Sequence, residues 1–204
     1  MTMLNNKAGV VVVLSGLSGS GKSHLTNILV ENGGFLHVPS ITTRPPRAGE
    51  QHGFDRIFCT EEEFDLWGKR GDLICVKRMF NHWYAISTES IEQYVKGMNI
   101  ITQLRYTSLV EMKSRFPVSV CVYVWPASLE RIAEKLSERQ LLTSENINSR
   151  LSENDQEINF MHNDMRSTKS ITDYHFINDY SSTSERQFLN LISLIIQRNK
   201  TQNL

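Results

Sequence analysis

The chain has 204 residues, with 22 basic and 22 acidic side chains and a formal net charge of zero. That balance excludes a protein that coats nucleic acid through bulk positive charge, but it leaves room for a locally basic site. The length suits one large domain or two small ones and is enough to bury a real core, and a make-up of 40% hydrophobic and 22% charged residues is that of an ordinary globular protein.

Special backbone is concentrated early. Six of the eleven glycines lie in residues 1 to 34 and three of the five prolines between Pro39 and Pro46, so chemistry is sought there first. The apolar stretch Ala8 to Leu14 is far short of the roughly 20 residues that span a bilayer and has no secretory-signal pattern. Cys59, Cys75 and Cys121 are odd in number, widely spaced and without a C-x-x-C pair. They read as reduced thiols of a cytoplasmic protein rather than a disulfide or zinc framework.

In chain order, Val10 to Leu14 is a β-branched run between Gly9 and Ser15-Gly16, which predicts a buried parallel strand. Lys22 to Asn32 has helical apolar spacing at Leu25, Ile28 and Leu29, and Gly33-Gly34 ends it. Phe35 to Val38 reads as a strand, and residues 40 to 60 as polar turns. Glu61 to Lys69 is a helix with acids in its first turn. Leu73 to Val76 and Met79 to Tyr84 read as short strands, Thr88 to Lys96 as helix and Asn99 to Leu104 as strand. Ser108 to Arg115 is helical up to Pro117, and Val118 to Val124 is a strong strand. Helices follow at Ser128 to Ser137, with Ser128 as N-cap, and at about Glu145 to His162. Tyr174 to Ile177 is a last strand and Ser184 to Gln197 a last helix, with fraying expected after about Arg198. Strands alternating with helices predict an α/β fold with a mainly parallel sheet flanked by helices.

Gly16-Leu17-Ser18-Gly19-Ser20-Gly21-Lys22-Ser23 fits G-x-x-x-x-G-K-[ST] at every fixed position. The glycines let consecutive amides point into one concavity at the start of a helix, a nest for phosphate oxygens. Lys22 is placed to reach β and γ phosphates, and the Ser23 hydroxyl to serve magnesium, mostly through water. A strand before the loop and a helix after it supply the required context. A flexible Gly/Ser turn, or a loop that has lost its nucleotide, is the plainer reading of the same residues.

Ser40-Ile41-Thr42-Thr43-Arg44-Pro45-Pro46-Arg47-Ala48-Gly49-Glu50 places two arginines three apart on a stretch stiffened by two prolines. Arginine grips phosphate with a planar fork, and a fixed backbone lowers the entropy cost of aiming it. Alone, this stretch is equally a solvated loop.

Here the sequence resembles the guanylate kinase family. The resemblance rests on the loop and on S-x-T-T-R-x-P-R-x-G-E from Ser40 to Glu50, and continues through Gly53, Asp55, Glu62 to Phe64, Gly71-Asp72 and Trp83-Tyr84. Arg139, Arg150-Leu151 and Asn178-Asp179 extend it, in order, over about residues 9 to 197. It implies a P-loop kinase core at about 8–39, 99–137 and 164–204, a small acceptor-binding subdomain at about 40–98 and a helical lid at about 138–163. It implies ATP as donor, magnesium, and a phosphorylated small molecule as acceptor, with no nucleic-acid or membrane partner, in a monomer or homodimer. Gly16, Ser18, Gly19, Ser20, Gly21, Lys22, Ser23 and Asn178 would bind ATP. Ser40, Arg44, Arg47 and Tyr84 would hold the acceptor's phosphate. Lys22, Arg139 and Arg150 would neutralise the transferring phosphoryl group.

The departures from the family concern the base. Counted without gaps, its guanine-reading glutamate falls on Cys75 and its serine or threonine on Ile86, beside Ser87; its D-x-D pair falls on Gln103 and Arg105, and a phosphate-holding tyrosine on Arg56. Arg56 and Arg105 would add positive charge at the acceptor, which suits extra phosphate or carboxylate, or a base rich in acceptor atoms. GMP is the family's acceptor; a ribose 1,5-bisphosphate phosphokinase or another specialised sugar-phosphate or nucleotide kinase is the alternative. A non-catalytic guanylate-kinase-like binding module is a further alternative, against which the intact loop argues. The expected site is a strongly cationic cleft, with the compensating acids on outward helix faces.

Overall fold

The computed structural model describes residues 8–32, 34–79, 81–128, 130–132, 144–165 and 170–202. Five strands build the central sheet: β1 Val11–Ser15, β2 Phe35–His37, β7 Asn99–Gln103, β8 Ser119–Pro126 and β9 Tyr174–Asn178. Their order is β2-β7-β1-β8-β9 and every pairing is parallel. Val11 lies between Ile100 and Ser119, and Leu14 between Gln103 and Val122. β1 is therefore central, and all five of its residues are buried. Its alternating side chains divide between two cores. Val11 and Val13 join Ile100, Tyr106, Met112, Cys121, Tyr123 and Met161. Val12 and Leu14 join Leu25, Leu29, Ile101, Val122, Val124, Phe188 and Ile192. Full burial of each such Val or Leu contributes about 1.5–3 kcal/mol.

Besides a helical stretch at 130–132, six helices flank the strands among the described residues: α1 Lys22–Asn32, α2 Glu61–Arg70, α3 Thr88–Glu92, α4 Leu109–Arg115, α5 Ser144–Met165 and α6 Ser182–Gln202. Thr60 and Glu63 form a reciprocal capping box that starts α2, and Gly71, at φ 78°, ends it. Residues 128–137, expected as a helix, lie mostly outside the described residues; at their start the Arg131 amide donates to Ser128 Oγ (3.3 Å), the expected cap.

Residues 40 to 60 are not turns throughout. They contribute β3 Ile41–Thr42 and β4 Ile57–Phe58 to a second sheet, ordered β4-β3-β6-β5 with β5 Leu73–Met79 and β6 His82–Ser87. Two-residue strands have no readable period, which hides them in a sequence. The expected strand from Met79 to Tyr84 straddles the β5–β6 hairpin turn, where Asn81 takes φ 63°. The Thr88 to Lys96 helix tightens into a 3₁₀ turn at Gln93–Lys96. The last helix does not fray at Arg198 but runs to Gln202. Among the described residues no helix is long and apolar enough to cross a membrane.

The parallel sheet places the C-terminal ends of β1, β7 and β9 along one edge. The glycine loop follows β1, Gln103 ends β7, and Asn178 ends β9. The second sheet faces that edge across a cleft.

Candidate active site

The loop from Gly16 to Ser23 turns sharply because its glycines take φ 141° at Gly16, 93° at Gly19 and 89° at Gly21. A Cβ on Gly16 would come within 2.3 Å of the Val124 carbonyl, and one on Gly21 within 2.3 Å of Asn178 Nδ2. Neither position accepts a larger residue without moving backbone or the side chain behind it.

Five consecutive carbonyls of the loop each accept a side-chain hydrogen bond. Lys22 Nζ donates to Gly16 O (2.7 Å) and Leu17 O (2.8 Å), Asn154 Nδ2 to Ser18 O (3.1 Å), Tyr180 Oη to Gly19 O (2.8 Å) and Asn178 Nδ2 to Ser20 O (3.0 Å). With its carbonyls so occupied, the loop is held as an amide-lined turn at the head of α1, where a helix leaves its first N–H groups without intrahelical partners. Asn178 is buried behind the loop, 1% exposed, so its contact is with the loop's back. Sequence reasoning singled out Asn178 but missed Asn154 and Tyr180.

Ser23 Oγ lies 3.5 Å from Gln103 Oε1, while Gln103 Nε2 donates to Thr26 Oγ1 (3.0 Å). The Thr26 bond turns the amide oxygen of Gln103 toward the Ser23 hydroxyl. Two neutral oxygens side by side at the foot of a phosphate-binding loop are a donor set that fits a hydrated magnesium ion. Among the described residues no group of three His, Cys, Asp or Glu side chains could hold a metal by itself.

Across the cleft, Arg44 is 8% exposed. Its Nη2 donates to both oxygens of Glu50 (2.9 Å each), its Nη1 donates to Pro45 O (2.7 Å), and its guanidinium lies 5.6 Å from the centre of the Phe58 ring. The Arg47 amide donates to the same carboxylate (2.8 Å). Burial pushes the Glu50 carboxyl up, but the Arg47 amide and the Arg44 guanidinium outweigh it and hold the group below the usual carboxylate range. Arg56 Nη1 donates to Ser40 Oγ, and its guanidinium sits 5.8 Å from the centre of the Tyr84 ring. Ser40, Arg44, Arg47, Arg56 and Tyr84 line one cleft of about 220 Å³ with Gly16, Ser18 and Lys22. The structure thus unites the two halves of the sequence-predicted site.

The cleft is less cationic than expected. Arg105 Nη2 donates to Glu153 Oε2, and its Nη1 lies 3.8 Å from Glu157 Oε2. Both carboxylates come from α5, four residues apart and so on one helix face, and both line the cleft. Arg105 is therefore committed to α5 and adds little free positive charge at the acceptor. Glu157 is 6% exposed and accepts from Tyr123 Oη (3.4 Å). Burial pushes its carboxyl up, against the pull of Lys22 and Arg105. The Glu153-x-x-x-Glu157 spacing on a helix read correctly as a helix was the signal for this pair.

Cys75 takes φ 55° at a bulge in β5 between Ile74 and Lys77. Its amide donates to Glu111 Oε1 (2.8 Å), and its thiol, which burial pushes up to about 12, donates to Ser108 O (3.5 Å). Ile86 is fully buried and does not line the cleft. Arg139 lies outside the described residues; Arg150 lies on α5, with its side chain outside them too.

Comparison with known proteins agrees with this geometry. The sequence model described as Guanylate kinase matches residues 8–165. The guanylate kinase of Legionella pneumophila (strain Lens) is 31% identical over 140 residues, 68% of this chain and 67% of that protein. That of Wolbachia pipientis wMel is 30% identical over 199 residues, 96% of this chain and 93% of its own. The crystal structure of guanylate kinase from Anaplasma phagocytophilum superposes with a TM-score of 0.68 over 94% of this chain and 86% of that one, at 24% identity, which bears on the fold. With the family model spanning most of the chain and relatives matching it along nearly its whole length, this protein belongs to the guanylate kinase family.

Proposed function

We infer that the protein is an ATP-dependent kinase that moves the γ-phosphoryl group of ATP to the phosphate of a nucleoside monophosphate. The observation that carries this reading is one cleft with a braced phosphate loop on one wall and the Ser40, Arg44, Arg47, Arg56, Tyr84 group on the other. Neither a sugar-phosphate kinase nor a non-catalytic module is favoured by the family's named members. Of the division into a core, an acceptor-binding subdomain at about 40–98 and a lid at about 138–163, the subdomain draws support from the second sheet, whose strands all fall between Ile41 and Ser87. A cytoplasmic location accords with three free thiols.

Transfer between two phosphates needs charge neutralised and two oxygens brought into line, with little covalent work for the protein. The amides at the head of α1 and the Lys22 ammonium would hold the donor's phosphates. Lys22 already bridges the carbonyls of Gly16 and Leu17 at the loop's mouth. Arg44, fixed by Glu50 and Pro45, keeps further N–H donors for an acceptor phosphate. Arg47, Arg56, Ser40 and Tyr84 would complete that grip. Arg139 and Arg150 would close over the transferring group. Magnesium, when bound, supplies positive charge at the β and γ phosphates, and Ser23 with Gln103 would hold its hydration shell.

The test is ADP formation from ATP and a set of nucleoside monophosphates, with Lys22→Ala as control. Turnover with at least one monophosphate, lost by a factor of about 100 or more in the variant, is expected. No turnover with any of them would remove the reading.

A further inference from the structure

This inference rests on the kinase reading and concerns what the acceptor carries besides its phosphate. With the phosphate gripped by the arginine group, the rest of the acceptor must lie against the remaining wall of the cleft. That wall is Cys75, Lys77, Met79, Ala85, Leu104 and Ser108. Its chemistry is one-sided. Lys77 stands opposite Tyr84 in the β5–β6 hairpin and has no hydrogen bond or ion pair among the described residues. Its ammonium offers three donors and no acceptor. The Cys75 thiol stays protonated, since burial pushes it up to about 12, and it already occupies the Ser108 carbonyl (3.5 Å). The nearest carboxylates in the cleft, Glu153 and Glu157, are turned to Arg105. The Ser108 hydroxyl is the one side-chain oxygen left on this wall.

Guanine presents an imino N–H beside an amino group on one edge, so it asks for several acceptors together. A keto pyrimidine asks for one: its single imino N–H lies between two ring carbonyls. One hydroxyl acceptor and one cationic donor lining the same cleft match the second pattern and leave part of the first unsatisfied. We propose that the acceptor is a nucleoside monophosphate with a keto pyrimidine base, uracil or thymine, with Lys77 donating to a ring carbonyl and Ser108 accepting the imino proton. Met79, Ala85 and Leu104 supply the apolar surface against which the ring lies.

Steady-state kinetics with saturating ATP and magnesium, comparing UMP, dTMP, CMP, AMP and GMP, tests the proposal. UMP or dTMP is expected to exceed GMP in kcat/KM by about tenfold or more, since a site built to hydrogen-bond one pattern rejects another strongly. Lys77→Met is expected to lower kcat/KM for the keto pyrimidine by about tenfold, mainly through the acceptor's KM, with the KM of ATP held. Lys77→Glu is expected to shift the ranking toward GMP. A wild-type preference for GMP, or a Lys77→Met variant with an unchanged ranking and unchanged acceptor KM, overturns the proposal while leaving the kinase reading intact. No turnover with any of the five overturns both.

Discussion

Asn154 grips the backbone of Ser18 with both ends of its side-chain amide. Oδ1 accepts from the Ser18 N–H at 2.7 Å, and Nδ2 donates to the Ser18 carbonyl at 3.1 Å. The two residues are 136 positions apart, and Asn154 is 5% exposed. Helix α5 is thus fastened to the phosphate loop by a pair of hydrogen bonds that mimics one rung of a sheet ladder. The arrangement lets the carbonyl of Ser18 face protein, which keeps a negative dipole out of a phosphate site.

Replacing Asn154 by Ala therefore acts on the donor side of the reaction. It removes the Asn154 partner from a half-buried N–H and carbonyl, at a cost of up to about 1–3 kcal/mol for each group. The KM for ATP is expected to rise about tenfold or more, with the acceptor's KM changed less. Asn154→Asp keeps the acceptor but sets a carboxylate against the Ser18 carbonyl, so it should fall below Ala near neutral pH and recover as the carboxyl is protonated in acid. An Ala variant that melts lower but keeps its KM for ATP would reduce the contact to plain packing.

Arg44 and Glu50 carry a second expectation. Glu50 neutralises Arg44 in part, yet fixes its fork toward the cleft. Glu50→Gln removes the charge and one of the two equivalent acceptors. The acceptor's KM is expected to rise several-fold while the KM for ATP holds. The carboxyl is held below its ordinary value in the fold, so the pair's stability is fully present above the ordinary glutamate pKa and is lost as pH falls through the lowered folded value. Thermal melting of wild type and Glu50→Gln between neutral and acid pH reads this directly: the gap should close in acid.

Glu157 behaves in the opposite sense. Burial holds its carboxyl above the ordinary value despite Lys22 and Arg105. Its stabilising share belongs to the protonated form, present below the ordinary glutamate pKa and lost as pH rises through the raised folded value. Glu157→Gln resembles that protonated form and leaves Glu153 to hold Arg105. The variant is expected to melt above wild type near neutral pH, with the difference shrinking in acid. A variant that melts below wild type at neutral pH would mean that attraction to Lys22 and Arg105 exceeds the burial cost.

Most of the core strands and the donor site could be read from the sequence because their signals are local. Val10 to Leu14 is a continuous apolar run, and the glycine loop puts its special backbone and its lysine within eight residues. The bracing of the loop was not legible. Asn154 and Tyr180 reach it from 136 and 161 positions away, and nothing in their neighbourhoods marks them. The second sheet was hidden for a different reason, since β3 and β4 are two residues each and are held by pairing with one another and with β6 and by packing on Phe64 of α2. The charge of the cleft was misjudged because a sequence lists Arg105 as a free cation, whereas the fold turns two carboxylates of α5 onto it.

Gln103 offers a test of the metal site that does not depend on the acceptor. Its amide oxygen stands 3.5 Å from Ser23 Oγ and is held there by the bond from Nε2 to Thr26 Oγ1. An amide oxygen accepts from a metal-bound water but contributes no charge, whereas a carboxylate contributes both. Gln103→Glu is expected to lower the magnesium concentration for half-maximal activity several-fold. It also loses the donor to Thr26, at a net cost of about 1 kcal/mol in stability. Magnesium titrations of activity, run beside melting curves, separate the two effects. An unchanged magnesium requirement in a variant that still folds would show that this strand end takes no part in holding the ion's hydration shell.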